Sequence, residues 1–488
     1  MTPHRTTGPT DAPPVADGDA GFRGLNNRLD PGQLADGFLS EAINVRCLNG
    51  RAGTRRGIRK LTFATPTPNS YGYPYIVPFG DVLAAEVYRD PLTDAEWLLI
   101  ATPTATYRTR PGATGLLVPL PGGTTLAAPI QLIQTYSGMV MLRGADADPL
   151  YLTDLAVGWS AIPAAGTPGN VALPRSANGT YFQNRLFVAD ARAGAAYKDG
   201  IWVSDFGTVF NAIEGSAAYN SFKINQGSSD SLVALYKFNE TTLIAGKTGS
   251  IYAVSNIYGT NTELAQNARL DLVTQEYGVR AARSFVSVGS DVWFLAHRRG
   301  IVSLRQTEQN KLQGVDVPVS NDVQGLIDRI NWEHAGEAQA AFWDNKVYIA
   351  VPLDDATANN AVLVYDTQMQ AWAGVDSGPA LTDLRAWVRF THGGAQILAF
   401  LDGDGYVNQY ESGYHDHVAS GSGTITYQDI ATTIQTRGYG GRLPGNKSFR
   451  GVDLRLLTAD PTVTVELAVP GVGETTTVRS GVTMDRTR

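Results

Sequence analysis

The sequence predicts an all-β chain: a β-propeller of six to eight blades with an extended N-terminal arm and a small C-terminal β-sandwich module. Three observations carry this expectation. From about Tyr71 onward, short runs of β-branched and aromatic residues alternate with turn dipeptides. Long helix-period stretches are nearly absent, the best candidate being "SNDVQGLIDRIN", Ser320 to Asn331, with Ser320 as its N-cap. A hairpin of aliphatic and aromatic strands also recurs in seven windows beginning near residues 81, 138, 184, 241, 290, 345 and 395, among them "NRLFVADARAGAAYKDGIWVSD" and "NKVYIAVPLDDATANNAVLVYD". One blade cannot bury both of its faces alone, so units of roughly 40 to 50 residues with four strands each stack around an axis.

In chain order, residues 1–21 are rich in Pro, Gly, Asp and Thr without hydrophobic periodicity and read as a disordered leader. Residues 22–62 read as an extended arm. It has few apolar residues and carries the cations Arg51, Arg55, Arg56 and Arg59, so it is expected to lie outside its own propeller. Residues 63–418 hold the propeller, and Trp202, Trp293 and Trp343, each beside aliphatic neighbours as in "SDVWFLA", are expected in blade cores. After "ESGYHDHVASGSG" the pattern becomes Thr-rich with period-two alternation, as in "TITYQDIATTIQTRGY" and "TVTVELAV". That marks 419–488 as a β-rich module with one wet and one buried face, complete in itself or completed by another subunit.

Composition limits the function classes. With 488 residues and 43% apolar composition the chain can bury a large core. Its formal charge is −7, unevenly spread: residues 1–60 hold nine Lys/Arg against six Asp/Glu, so the remainder is net −10. An acidic body is poorly suited to wrapping DNA but suits a passage through which a polyanion slides without sticking. Cys47 is the only cysteine, which excludes a disulfide framework and any site built from several thiolates. No long apolar run and no signal-like start occur, so synthesis in the cytosol and no membrane insertion are expected.

Enzymatic patterns are weak. His415 and His417 in "YHDH" project to one face of a strand beside Asp416 and Glu411, yet no further ligand follows at a zinc-like spacing, and a polar linker is the better reading. "LDGDGYVNQ", with Asp402, Asp404 and Asn408, lacks the order and the final glutamate of a calcium loop and reads as a tight turn. "SDFGTVF", Ser204 to Phe210, fails the spacing of a sialidase box, and "IAGKTGS", Ile244 to Ser250, lacks the upstream glycine of a phosphate-binding loop. No catalytic residue, metal ligand or cofactor is assigned, and no enzymatic activity is expected.

The stretch "GLNNRLDPGQLADGFLSEAINVRCLNGRAGTRRG" resembles the N-terminal motif of tailed-bacteriophage virion proteins, with Gly24, Asn26, Pro31, Asn44, Gly50, Arg55 and Gly57 at its characteristic positions. "FQNRLFVAD", "QEYGVRAARSFVSVGSDVWFLAHRRGIVSL" and "AAFWDNKVYIAVPL" are similar to blade phrases of phage tail nozzle and tail hub proteins. The resemblance implies a homo-oligomeric ring, usually sixfold, below the portal and adaptor proteins of the virion. Such a ring extends the channel for double-stranded DNA, helps retain and eject it, and carries fibres or spikes. Arg51, Arg55, Arg56 and Arg59 would then pair with acidic surface on a neighbouring subunit. The competing readings are a host-surface glycan-recognising propeller of the tail tip or fibres and, third, a propeller glycan hydrolase.

Overall fold

The computed structural model describes residues 19, 21–61, 81–110, 118–122, 127, 129–162, 171–192, 197–207, 221–259, 263–305, 307, 317–419, 424–439, 465–468 and 475–479. Its hairpins follow from their turns. Gln183 and Asn184, Asp344 and Asn345, and Gly393 and Gly394 all hold positive φ, as in the two-residue turns whose twist matches that of the flanking strands. Antiparallel strands built on such turns form six four-stranded blades. Blade one is Ala84–Arg89, Glu96–Ala101, Thr106–Thr109 and Val118–Pro119, and blade two is Gln131–Gln134, Met139–Arg143, Ala147–Leu152 and Ser160–Ala161. Blade three is Ser176–Phe182, Arg185–Asp190, Gly200–Val203 and Ser221–Lys223; blade four is Leu232–Lys237, Leu243–Lys247, Ile251–Ser255 and Arg269–Thr274. Blade five is Gln339–Trp343, Lys346–Val351, Ala361–Asp366 and Ala371–Ser377. Blade six takes Leu384–His392, Ala395–Asp402 and Val407–Gln409 from one region and its outer strand, Arg59–Lys60, from the arm. A three-stranded sheet, Val286–Val288, Asp291–Ala296 and Gly300–Ser303, stands between blades four and five.

Apolar clusters lie between successive sheets and close the circle. Leu98 and Ile100 of blade one face Val388 and Phe390 of blade six, whereas Leu99 and Ala101 face Leu132 and Met141 of blade two. Second strands are therefore covered on both faces, and Met139–Leu142 and Leu243–Lys247 are buried at every position. Trp202 packs between blades two and three with Val140 and Val188, its Nε1 donating to Asp190 Oδ2 at 3.0 Å. Trp293 packs with Leu295, Ile349 and Leu363, and its ring meets Tyr365 edge-on at 4.9 Å. Trp343 meets the expectation only in part: it ends its strand at the Asp344–Asn345 turn and is half-buried, packed against the cluster between blades five and six. Trp293→Ala is expected to lower stability by about 3 to 5 kcal/mol and Trp343→Ala by markedly less. Denaturant midpoints of the two variants, measured side by side, check this ordering.

The expected helix is shorter and differently capped. A 3₁₀ turn, Val319–Val323, runs into a single α-turn, Gln324–Ile327, with Pro318 at the N-cap position. Ser320 lies inside the turn, where its Oγ accepts from the Ile301 amide at 3.0 Å and ties the helical segment to the three-stranded sheet.

Residues 22–61 depart from the expectation of an arm held outside its own propeller. Gly24–Leu25 pairs in parallel with the first residues of Phe38–Ile43, and that strand continues blade five beyond Ala371–Ser377 through the Ile43–Val375 pair. Thr433–Thr436 pairs antiparallel on its other side. The physical reason is that few apolar residues suffice when they enter a core built by other strands. Leu25, Leu39, Ala42, Val45 and Cys47 join the cluster around Trp293 and Trp372, and Ile58 joins the one between blades five and six. Burial pushes the Cys47 thiol up to about 11, so it is a packing residue.

One compact unit spans Gly18–Tyr439. The strands Ile425–Asp429 and Thr433–Thr436, allotted by sequence to a C-terminal module, thus belong to the propeller unit. The second unit comprises 1–17 and 440–488, and within it Val465–Ala468 and Thr475–Arg479 form an antiparallel hairpin. The expected disordered leader lies almost wholly outside the described residues.

Candidate functional site: an ionic seam between arm and ring

The arm is fastened by buried charge. A hairpin of Val45–Leu48 and Arg51–Thr54 sets Arg46 over Asp376, on the outer strand of blade five. Arg46 donates twice to that carboxylate, Nη1 to Oδ1 at 2.9 Å and Nη2 to Oδ2 at 2.5 Å, while its Nε donates to Glu411 Oε1 at 2.7 Å. Arg55 forms a second fork, Nη1 to Asp416 Oδ1 at 2.8 Å and Nη2 to Asp416 Oδ2 at 2.6 Å, with Nε donating to Asn44 Oδ1 at 2.9 Å. Tyr410 donates its hydroxyl to Asp376 Oδ2. Side chains of Arg55 and Asp376 are essentially inaccessible, at 1% and 0% exposure.

Desolvation opposes every one of these ions, so the geometry must compensate. Burial disfavours the Arg46 cation, yet Asp376 and Glu411 outweigh it and raise its pKa. Burial likewise acts against Arg55, and the fork to Asp416 reverses the balance. For Tyr410, burial and then the Asp376 charge push the hydroxyl far above its ordinary value, which keeps it a donor.

Two smaller staples repeat the device. Lys60, on the arm strand that completes blade six, places Nζ 2.8 Å from Asp402 Oδ2 and 3.0 Å from Asn408 Oδ1, above the Tyr406 ring. The "LDGDGYVNQ" turn is thus organised around a buried lysine, with Asp402 Oδ1 accepting from the Tyr406 amide at 2.7 Å. Lys247, the lysine of "IAGKTGS", is fully buried in the second strand of blade four, its Nζ 3.0 Å from Asp199 and 2.8 Å from Asp230. Burial raises the Asp230 carboxyl, but hydrogen bonds from Lys247, Ser228 and Ser250 outweigh it and hold the group down at about 2. Because this folded value lies below the unfolded one, the stabilisation is complete above about pH 4 and is lost as pH falls through 2. About 2 to 3 kcal/mol should disappear across that window. In Asp230→Asn that part of the pH dependence should be missing from denaturation midpoints taken at stepped pH.

The four arginines singled out by sequence do not act together. Arg55 corrects the expectation of an intersubunit contact, because its charge is already matched by Asp416 of its own chain. Arg51, Arg56 and Arg59 are exposed, and among the described residues none of them is ion-paired. His415 Nδ1 lies 3.0 Å from Asp429 Oδ1, and the His417 ring meets Tyr427 edge-on at 4.7 Å. Among the described residues no group of three or more His, Cys, Asp or Glu is placed to hold a metal ion. Sequence reasoning missed Asp376, Asp402 and Trp372 as seam and core residues, because their partners lie more than 300 positions away in the chain or, for Trp372, in the 3₁₀ turn at Val319.

The motif positions have a common meaning in this geometry. A Cβ at Gly24 would stand 2.5 Å from the Trp372 carbonyl oxygen, and one at Gly57 would overlap the His415 carbonyl oxygen. Asn44 holds φ at 58°, and its side-chain oxygen serves both Arg55 and the Ser377 amide. Pro31 opens a 3₁₀ turn capped by Asp30, and Gly50 accepts from the Phe22 amide at 2.9 Å.

No family model and no curated protein matches the chain. Among solved structures it is similar to PorZ, an essential bacterial surface component of the type-IX secretion system of Porphyromonas gingivalis, at 11% identity and a TM-score of 0.41, covering 73% of this chain. The chain spans 39% of the length of PorZ. It is also similar to YCF48 bound to D1 peptide, at 11% identity and a TM-score of 0.39, covering 75% of this chain and 99% of that one. Likeness at this level carries no functional argument.

Proposed function

We propose that the chain is a structural subunit of a bacteriophage tail, a hub or nozzle that assembles as a ring around the path of double-stranded DNA and performs no catalysis. The observation that carries this reading is the N-terminal stretch: of the residues through which it resembles tail proteins, Gly24, Asn44, Arg55 and Gly57 take part in holding the arm on the propeller, beside Arg46 and Lys60. A motif with that role suits a subunit that must stay closed under load. Exposed Arg51, Arg56 and Arg59 supply cations for acidic surface on a neighbouring copy, and the acidic remainder of the chain suits passage of DNA without retention. Portal or adaptor proteins above and fibres or spikes below are the partners this reading implies.

Mass photometry and negative-stain imaging of the purified protein test it. Rings of defined symmetry are expected, and Arg51→Ser/Arg56→Ser/Arg59→Ser should weaken them while leaving the melting temperature unchanged, since all three side chains are exposed. Duplex DNA should bind no more tightly than about 10⁻⁴ M at physiological salt. A monomer that binds glycan arrays would replace this reading with host-surface recognition.

A further inference from the structure

A cavity of about 180 Å³ opens where the strand completing blade six meets the neighbouring hairpin, lined by Arg59, Lys60, Leu61, His392, His417, Ile425 and Tyr427. Three separate elements bring basic groups to it: Arg59 and Lys60 from the arm strand, His392 from the end of the inner strand of blade six, and His417 from His415–Ala419. Among the described residues no carboxylate lines it. The nearby acids are already paired: Asp402 with Lys60, which leaves Arg59 and the two imidazoles as the uncommitted basic groups of the lining, Asp416 with Arg55, and Asp429 with His415. Arg59 is exposed and is not ion-paired among the described residues.

We propose that this cavity binds an oxyanion, the phosphate or carboxylate group that Arg59, His392 and His417 together would recognise. A guanidinium offers paired donors to such a group, and an imidazole that gains a proton adds a charged donor beside it. The cavity lies within one chain and does not depend on ring formation. Burial, followed by Arg59, holds the His392 imidazole below its ordinary value. Burial also lowers His417, with Arg59, Lys60 and His415 acting in the same direction and Asp416 against them. A bound anion counters the cations, raises both imidazoles, and so binds more tightly as pH falls. A rise of about one pH unit in either group on binding corresponds to roughly tenfold tighter binding of the protonated form.

The test is NMR of the full chain with ¹³C-labelled histidine, titrated with inorganic phosphate to about 10 mM, ten times a millimolar Kd, against sodium chloride of matched ionic strength. Saturable shifts of His392 and His417 are expected with phosphate only, tighter at pH 6 than at pH 8. Arg59→Gln should weaken the binding by about tenfold or more, the loss of one charge-assisted hydrogen bond. If the same shifts arise on raising protein concentration and phosphate competes them away, the oxyanion is a carboxylate of a second copy; if they arise only with phosphate, it is a free anion. Absence of saturable shifts, shifts equal in chloride, or equal affinity in wild type and Arg59→Gln would overturn the assignment.

Discussion

Deleting residues 1–61 should leave a chain that does not fold, rather than a propeller without an appendage. The deletion removes Leu25, Leu39, Ala42, Val45 and Cys47 from one inter-blade cluster and Ile58 from another. A fully buried Val, Leu or Ile contributes about 1.5 to 3 kcal/mol, so the apolar loss alone is on the order of the 5 to 15 kcal/mol that holds a typical domain together. It also strips the cations from Asp376, Asp416 and Asp402, all of them buried. Each such orphaned charge costs about 3 to 5 kcal/mol. Circular dichroism and protease sensitivity of the truncated chain would decide the matter, and a soluble, cooperatively melting truncation would contradict the expectation.

Asp376→Ala should be the most damaging single substitution in the seam, at about 3 to 5 kcal/mol. This carboxylate receives Arg46 and the Tyr410 hydroxyl and stands 4.0 Å from the Arg55 guanidinium. Truncating it leaves the Arg46 and Arg55 guanidinium groups with less countercharge. Two comparisons separate charge from packing. Asp376→Asn keeps the shape and should still lose most of the stability, whereas Arg46→Met combined with Asp376→Leu should recover part of it, since apolar replacement of both partners avoids a lone buried ion. Denaturant midpoints at constant m-value are the measurement.

The blades were legible because their signal is local. A hairpin needs only two apolar strands and a turn, and "FQNRLF", "FWDNKVY" and "THGGAQI" each present both within a few residues. The same locality explains why Trp343 is only half-buried: its neighbours in sequence are those of a core strand, but one further residue is the turn, so it packs on the edge of the cluster between blades five and six. The seam could not be read this way. Arg55 and Asp416 are 361 residues apart, and no period or spacing links them. Counting apolar residues within the arm was misleading for a related reason, because Leu39 and Val45 are buried by blade five and the three-stranded sheet rather than by one another. Lys247 shows the converse: a lone "GK" carried no phosphate-loop meaning, and its role as a buried staple depends on Asp199 and Asp230 from adjoining segments.

Native-state hydrogen exchange on dilute protein tests the central claim that the arm is part of its own propeller. The amides of Asn44, bonded to Val375 O at 2.8 Å, of Arg55, bonded to Asn44 O at 2.9 Å, and of Leu61, bonded to Val407 O at 2.8 Å, should exchange as slowly as those of the blade strands they join, through global unfolding. Exchange of these amides at loop-like rates in dilute protein, with protection gained only at high protein concentration, would contradict the account and return the arm to a role between subunits.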